Sequence, residues 1–182
     1  CVGVLYCMEV ADSFIASGKA KTVLIVSAEA MSKLVDWSDR STCVLFGDGT
    51  GAMVVKAGSG RLAGELSCNP DSHVIRMPNF EGLNSPYNQT AQEKMSIYMD
   101  GGEVYKFAVN AMGRNIEEVC AQAGLTPADI DWYLPHQANV RIIDASLKKF
   151  KIDKSKVLLN IAGCGNMSAT SIMVLLDEFA KK

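Results

Sequence analysis

Short β-branched apolar runs alternate along this chain with segments of helical spacing, and that alternation restricts its fold more than any other feature. Residues 2–17 place Val4, Leu5, Met8, Ala11, Ile15 and Ala16 on a helical period, with Gly18 as a C-terminal stop. "KTVLIVSAE" (21–29) is a short apolar run bounded by charge and reads as a buried strand. "TCVLFGDGTGAMVVKA" (42–57) reads as two strands joined by a glycine-rich turn. The helical period returns from 102 to Ala123, before Gly124, and Thr126 caps the short turn "TPADI". "DWYLP" (131–135) and "KVLLN" (156–160) read as strands, and 139–150 and 168–180 as helices. The pattern predicts an α/β layered fold with a largely parallel sheet. Residues 60–98 are the least regular: "RLAGELSCN" (61–69) reads as a strand and 79–94 as a polar loop.

The length of 182 residues suits one domain, and 48% hydrophobic with 21% charged residues suits a soluble globular protein. A net charge of −2 makes nucleic acid an unexpected partner. Six scattered cysteines (1, 7, 43, 68, 120 and 164) contain no C-x-x-C pair, which favours a reducing compartment over a disulfide framework. His73 and His136 lack cysteines at ligand spacing, so no metal site is expected. With no targeting segment and no apolar run long enough to cross a bilayer, the expectation is a cytoplasmic protein that does not enter membranes. The start at Cys1, without an initiator Met, suggests a chain that is cut or partly observed.

Four stretches could carry chemistry. "GDGTGA" (47–52) resembles a dinucleotide fingerprint, but a strand-like segment follows where that motif needs a helix, so its glycines are assigned to turn geometry. His136 follows a strand ending in Pro135, and ligands in parallel α/β sheets collect beyond strand carboxyl ends. Taken alone, a histidine capping the 139–150 helix is the simpler reading. Asn166, beside Gly165, sits where another strand enters a helix, and a capping box of Asn and Ser is its simpler reading. Cys1 precedes the first helix, where the dipole and free N–H groups favour a thiolate; burial as a small residue is the alternative. Together a thiol, an imidazole and an amide form a constellation for covalent acyl chemistry: the sulfur accepts an acyl group, and the other two donate hydrogen bonds to a carbonyl oxygen gaining charge.

The order Cys, His, Asn is also that of papain-like cysteine hydrolases, though "CVGVLY" lacks their C-G-x-C-W context. A second resemblance is closer. "CVGVLYCMEVADSFIASGKAKTVLIVSAE", "DWSDRSTCVLFGDGTGAMVV", "DGGEVYKFAVNAM", "DIDWYLPHQANVRII" and "GNMSATSI" resemble β-ketoacyl-acyl carrier protein synthase III, the condensing enzyme that starts type II fatty acid synthesis, over nearly the whole chain. The resemblance implies a thiolase-like layered α-β-α-β-α fold, incomplete here. Residues 1–60 would be the remainder of the first lobe, starting at the nucleophile, and 61–182 most of the second. It implies that Cys1 takes an acyl group from acyl-coenzyme A, while His136 and Asn166 hold the oxygen of malonyl-acyl carrier protein during decarboxylation. It further implies that Arg40 stacks on the coenzyme A adenine, that Asn139 binds the pantetheine arm, and that Arg141, Lys148 and Lys149 receive the acidic carrier protein. A homodimer needing no cofactor beyond its thioester substrates follows from the same source.

Departures from the family pattern are also legible. The stretch before the nucleophile and the final strands with their glycine-rich loop are absent, Met167 replaces the usual threonine, and Cys164 replaces a tyrosine or histidine. The expectation is an internal portion of a larger enzyme, with a non-catalytic thiolase-fold subunit as a further alternative.

Overall fold

A computed structural model describes residues 1–77 and 96–181. The first helix, α1 (Gly3–Ala16), buries Val4 and Ala11, two turns apart, and ends before Gly18, whose φ of 73° is one that a side chain would resist. Val4 and Ala11 pack with Ile25 and Met173 into the main core cluster, which Met8, Val23, Met53 and Val55 border.

Ile25 lies on β1 (Thr22–Ala30), which pairs along its full length with β2 (Asp48–Lys56), from Thr22↔Lys56 to Ala30↔Asp48. Odd-numbered positions of both strands face α1 and the C-terminal helix α5 (Thr170–Ala180), while Leu24, Val26 and Val54 on the other face are exposed. The ladder is antiparallel, which corrects the expectation of a largely parallel sheet. Among the described residues parallel pairing is confined to two isolated bridges, Phe46↔Asn166 and Tyr133↔Val157. So "DWYLP" and "KVLLN" meet at a single rung instead of forming full strands.

The stretch 42–57 holds one strand, not two. Asp39 accepts hydrogen bonds from Ser41 N and Oγ (2.9 and 2.6 Å) and from Thr42 Oγ1 (2.9 Å), winding 39–45 into turns that compete with extension. Two of the glycines of "GDGTGA", Gly49 and Gly51, accordingly lie inside β2. A Cβ on Gly49 would come within 2.5 Å of Met167 Sδ, and one on Gly51 within 2.8 Å of Met173 Cβ. Their role is to let the segment leading into α5 lie directly on the sheet, not to make a turn.

"RLAGELSCN" carries no strand. Its side chains tie it to helices instead: Arg61 pairs with Glu9 and Asp12 of α1, and Glu65 accepts from Gln122 Nε2 at 2.7 Å. The polar loop expected at 79–94 lies outside the described residues. A short hairpin, β3 (Ile75–Arg76) with β4 (Tyr98–Met99), leads into α2 (Gly101–Gln122). Asp100 caps α2 by accepting from Gly102 N and Glu103 N at 3.0 and 3.1 Å. Asp129 returns to Thr126 N and Oγ1 (2.8 and 2.7 Å), forming the expected cap of "TPADI".

Helix α3 (Val140–Phe150) buries Ile142, Ile143 and Leu147 and packs on α2, where Ser146 Oγ donates to Val109 O at 3.2 Å. At 1% exposure, Ile143 contributes about 2 kcal/mol of apolar burial. One further helical turn, α4 (Ile161–Cys164), connects to α5. No helix of the described residues is long and apolar enough to cross a membrane.

Candidate active site

The segment bearing His136 parts from the 156–160 segment just after their single rung. Tyr133 N donates to Lys156 O at 2.8 Å and Leu158 N to Tyr133 O at 3.0 Å, and Pro135 then interrupts the ladder. The imidazole turns inward, and both ring nitrogens are buried without a hydrogen-bond partner. Burial lowers its pKa from the usual 6.5 to about 4. A neutral imidazole at pH 7 carries one N–H donor. His136 does not cap α3; Asn139 does, its Oδ1 accepting from Arg141 N at 2.9 Å. The strand-end position is thus free for chemistry.

Asn166 is set by the other isolated bridge. Its N–H donates to Leu45 O (2.9 Å) and its carbonyl accepts from Gly47 N (3.0 Å). Gly165 at φ 68° and Ser168 at φ 51° bend the chain sharply on either side. Oδ1 of Asn166 accepts from Ser168 N at 2.9 Å, so the amide retains Nδ2 as a donor. This holds the turn before α5 and is not a capping box for the helix, whose N-cap residue, Ala169, makes no side-chain cap. Two polar residues on the inward face of β1 brace the same turn. Ser27 Oγ lies 2.7 Å from Thr170 Oγ1, and Glu29 Oε1 accepts from Ala169 N at 3.3 Å. Their legible signal was polarity at inward positions of an otherwise apolar alternation, and sequence reasoning passed over it.

Cys1 is exposed and stands two residues ahead of α1, whose N-cap residue, Val2, makes no side-chain cap, so the positive helix end faces the thiol's side of the chain. Cys1, His136, Asn139 and Asn166 line one cavity of about 730 Å³, whose apolar wall includes Phe46 and Phe107. His136 also borders a second, mainly apolar cavity of about 510 Å³ between α2 and α3. The remaining sequence candidates lie apart from the first cavity's wall. Arg40 is exposed beside Ser41, which does line it, and Arg141, Lys148 and Lys149 are exposed on α3. Lys149 is turned toward α2, where its ammonium donates to Asn110 Oδ1.

All six cysteines are free, and among the described residues no three His, Cys, Asp or Glu side chains cluster as a metal site would need. The arrangement offers a nucleophile and two neutral hydrogen-bond donors around one cavity, a set suited to acyl transfer through a thioester and to holding an enolate oxygen.

Comparison with known proteins agrees with that chemistry. The family model for 3-oxoacyl-[acyl-carrier-protein] synthase III matches residues 1–70, and the model for its C-terminal part matches 120–182. The β-ketoacyl-[acyl-carrier-protein] synthase III of Thioalkalivibrio sulfidiphilus is 42% identical over 180 residues, covering 97% of this chain and 55% of its own. That of Desulfitobacterium hafniense is 43% identical over 186 residues, covering 100% and 56%. The crystal structure of the Thermus thermophilus synthase III superposes with a TM-score of 0.89 at 38% identity, covering 100% of this chain and 57% of that one. The chain therefore spans a little over half the length of these relatives, and the solved structure shares its thiolase-like α/β fold.

Proposed function

Because the chain belongs to the 3-oxoacyl-[acyl-carrier-protein] synthase III family, we propose that its protein joins an acyl-coenzyme A starter to malonyl-acyl carrier protein by decarboxylative condensation, the first step of fatty acid synthesis. The observation that carries this reading is the shared cavity: a thiol, a buried neutral imidazole and an amide with a free donor face one space.

The Cys1 thiolate attacks the acyl-coenzyme A carbonyl; a C–S bond forms at Cys1, and coenzyme A leaves as its thiolate. Malonyl thioester then enters with its carbonyl oxygen toward His136 and Asn166. As the C–C bond to the carboxylate breaks, carbon dioxide departs and the electron pair passes into an enolate. One N–H from each side chain stabilises the charge on that oxygen, in a setting where burial strengthens both hydrogen bonds. The enolate carbon attacks the acyl-Cys1 carbonyl, a C–C bond forms, the C–S bond breaks, and Cys1 is released as thiolate. No step calls for a metal or a cofactor beyond the thioester substrates.

In the same reading Arg40 stacks on the adenine of coenzyme A, Asn139 binds the pantetheine arm through its remaining Nδ2 donors, and Arg141, Lys148 and Lys149 attract the acidic carrier protein. Residues 1–60 belong to one thiolase-like lobe and 61–182 to the other, in a cytoplasmic homodimer. The hydrolase reading is disfavoured by His136 itself: a papain-type pair needs an imidazolium beside the thiolate, and burial opposes that charge.

The test is product formation by the intact protein from acetyl-coenzyme A and malonyl-acyl carrier protein. His136→Ala and Asn166→Ala should still acylate Cys1 and lose roughly a hundredfold or more in decarboxylation, whereas Cys1→Ala should lose acylation outright. Thioester hydrolysis with no β-ketoacyl product would refute the reading.

A further inference from the structure

The catalytic constellation leaves Gln137 unused, yet its side chain is 0% exposed and fully engaged. Its Nε2 donates to Pro135 O at 2.8 Å and Leu158 O at 3.4 Å, and its Oε1 accepts from Asn160 N at 3.1 Å and Ile161 N at 3.2 Å. These partners follow a pattern. With Tyr133 N on Lys156 O and Leu158 N on Tyr133 O, the next parallel rungs would run from residue 135 N to Leu158 O and from Asn160 N to residue 135 O. Residue 135 is proline and has no N–H to give. The Gln137 amide instead serves three groups those rungs would have used: Leu158 O, Pro135 O and Asn160 N.

We propose that Gln137 is a positioning residue that stands in for the broken ladder and thereby sets the distance between the two oxygen-binding donors. Pro135 frees the chain to swing His136 into the cavity. Without a replacement for its rungs, that same break would let the 157–161 segment slide relative to the His136 turn. Residues 160 and 161 lead through α4 to Asn166 within one short connection, so fixing their N–H groups on Gln137 fixes one end of the Asn166 loop. The Phe46 bridge fixes the other end. An amide is the one neutral side-chain type with a donor end and an acceptor end at this spacing. A carboxylate would offer acceptors alone, and a thioether would offer neither.

This inference rests on the proposed function, because it assigns Gln137 to the decarboxylation half-reaction. In the intact protein, Gln137→Glu and Gln137→Met are compared with the parent in acetyl transfer to Cys1 and in carbon dioxide release from malonyl thioester. Acetyl transfer, which does not use the donor pair, should stay within about threefold. The kcat for carbon dioxide release should fall roughly tenfold to a hundredfold in Gln137→Met with KM little changed, the scale on which ångström misplacements act. Gln137→Glu should gain a pH limb that parent and Gln137→Met lack, with release preserved where the carboxyl is protonated and can donate, and lost where it ionises. Equal losses in both half-reactions, unchanged release in Gln137→Met, or no new pH limb would each overturn the assignment. Should Gln137→Met not fold, the Gln137→Glu limb decides alone. A parent that releases no carbon dioxide would refute the function and not the positioning role. That role would then be read from the His136 ring resonances, which should shift along the same pH limb in Gln137→Glu and which, if unmoved, overturn it.

Discussion

Lowering the pH should uncover the cost of burying His136. Free histidine takes up its proton near 6.5, but in the folded chain this imidazole resists protonation until about pH 4, chiefly because it is desolvated. The unfolded chain therefore binds the proton first as pH falls. The neutral ring's contribution is complete above pH 6.5 and is lost progressively down to about pH 4. At about 1.4 kcal/mol per pH unit, that interval corresponds to about 3 kcal/mol of stability. Hydroxyl hydrogen bonds from Ser41, Ser32 and Thr126 hold the carboxyls of Asp39, Asp48 and Asp129 below the ordinary aspartate range, so their losses fall at lower pH than most of this window. The assay is a ¹H–¹⁵N NMR titration of the two imidazoles, assigned with His73→Gln, alongside urea unfolding from pH 8 to 4.5. The His136 ring should stay neutral through pH 5, and His136→Gln should flatten the stability slope between pH 6.5 and 4.5. A His136 titration near 6.5 with no change of slope would mean that water reaches the ring, and the argument for a desolvated neutral donor would fail.

Packing and docking are open to equally direct tests. Gly51→Ala sets a methyl 2.8 Å from the Met173 Cβ, so it should destabilise the protein by about 1–3 kcal/mol in urea unfolding, whereas Gly58→Ala, with nothing within 4 Å, should change it by less than about 0.5 kcal/mol. Tyr133→Phe removes the 2.6 Å hydrogen bond from its hydroxyl to Pro127 O and should cost about 1 kcal/mol in the same assay. Reversing charge at exposed Arg141 and Lys148 should raise KM for malonyl-acyl carrier protein roughly tenfold at low salt, an effect that fades as salt is added, and should leave acetyl transfer from acetyl-coenzyme A unchanged.

Local signals were read well where local physics decides them. α1, β1, α2, α3 and α5 lie within two residues of their sequence assignments, because period, caps and glycine stops act over a few residues. Errors came where distant segments decide. Glycines inside β2 read as a turn until Met167 and Met173 are seen lying on them. "KVLLN" has strand composition, but it meets "DWYLP" at one rung because Pro135 stops the ladder. Of the site, Cys1, His136, Asn139 and Asn166 were each named from sequence, and the fold brings them to one cavity. Gln137 was missed because an amide beside a histidine looks like one more polar loop residue. Its meaning depends on carbonyls and N–H groups more than 20 positions away as well as on Pro135.

The central claim, that Cys1 is the acyl acceptor, is tested most directly by the intact mass and peptide map of the protein after incubation with acetyl-coenzyme A. Exposure alone does not single out this thiol, since Cys7 and Cys68 are exposed too. The account predicts one acetyl group, located on Cys1 and abolished by Cys1→Ala. An acetyl group on another cysteine, or none on the folded intact protein, would contradict it.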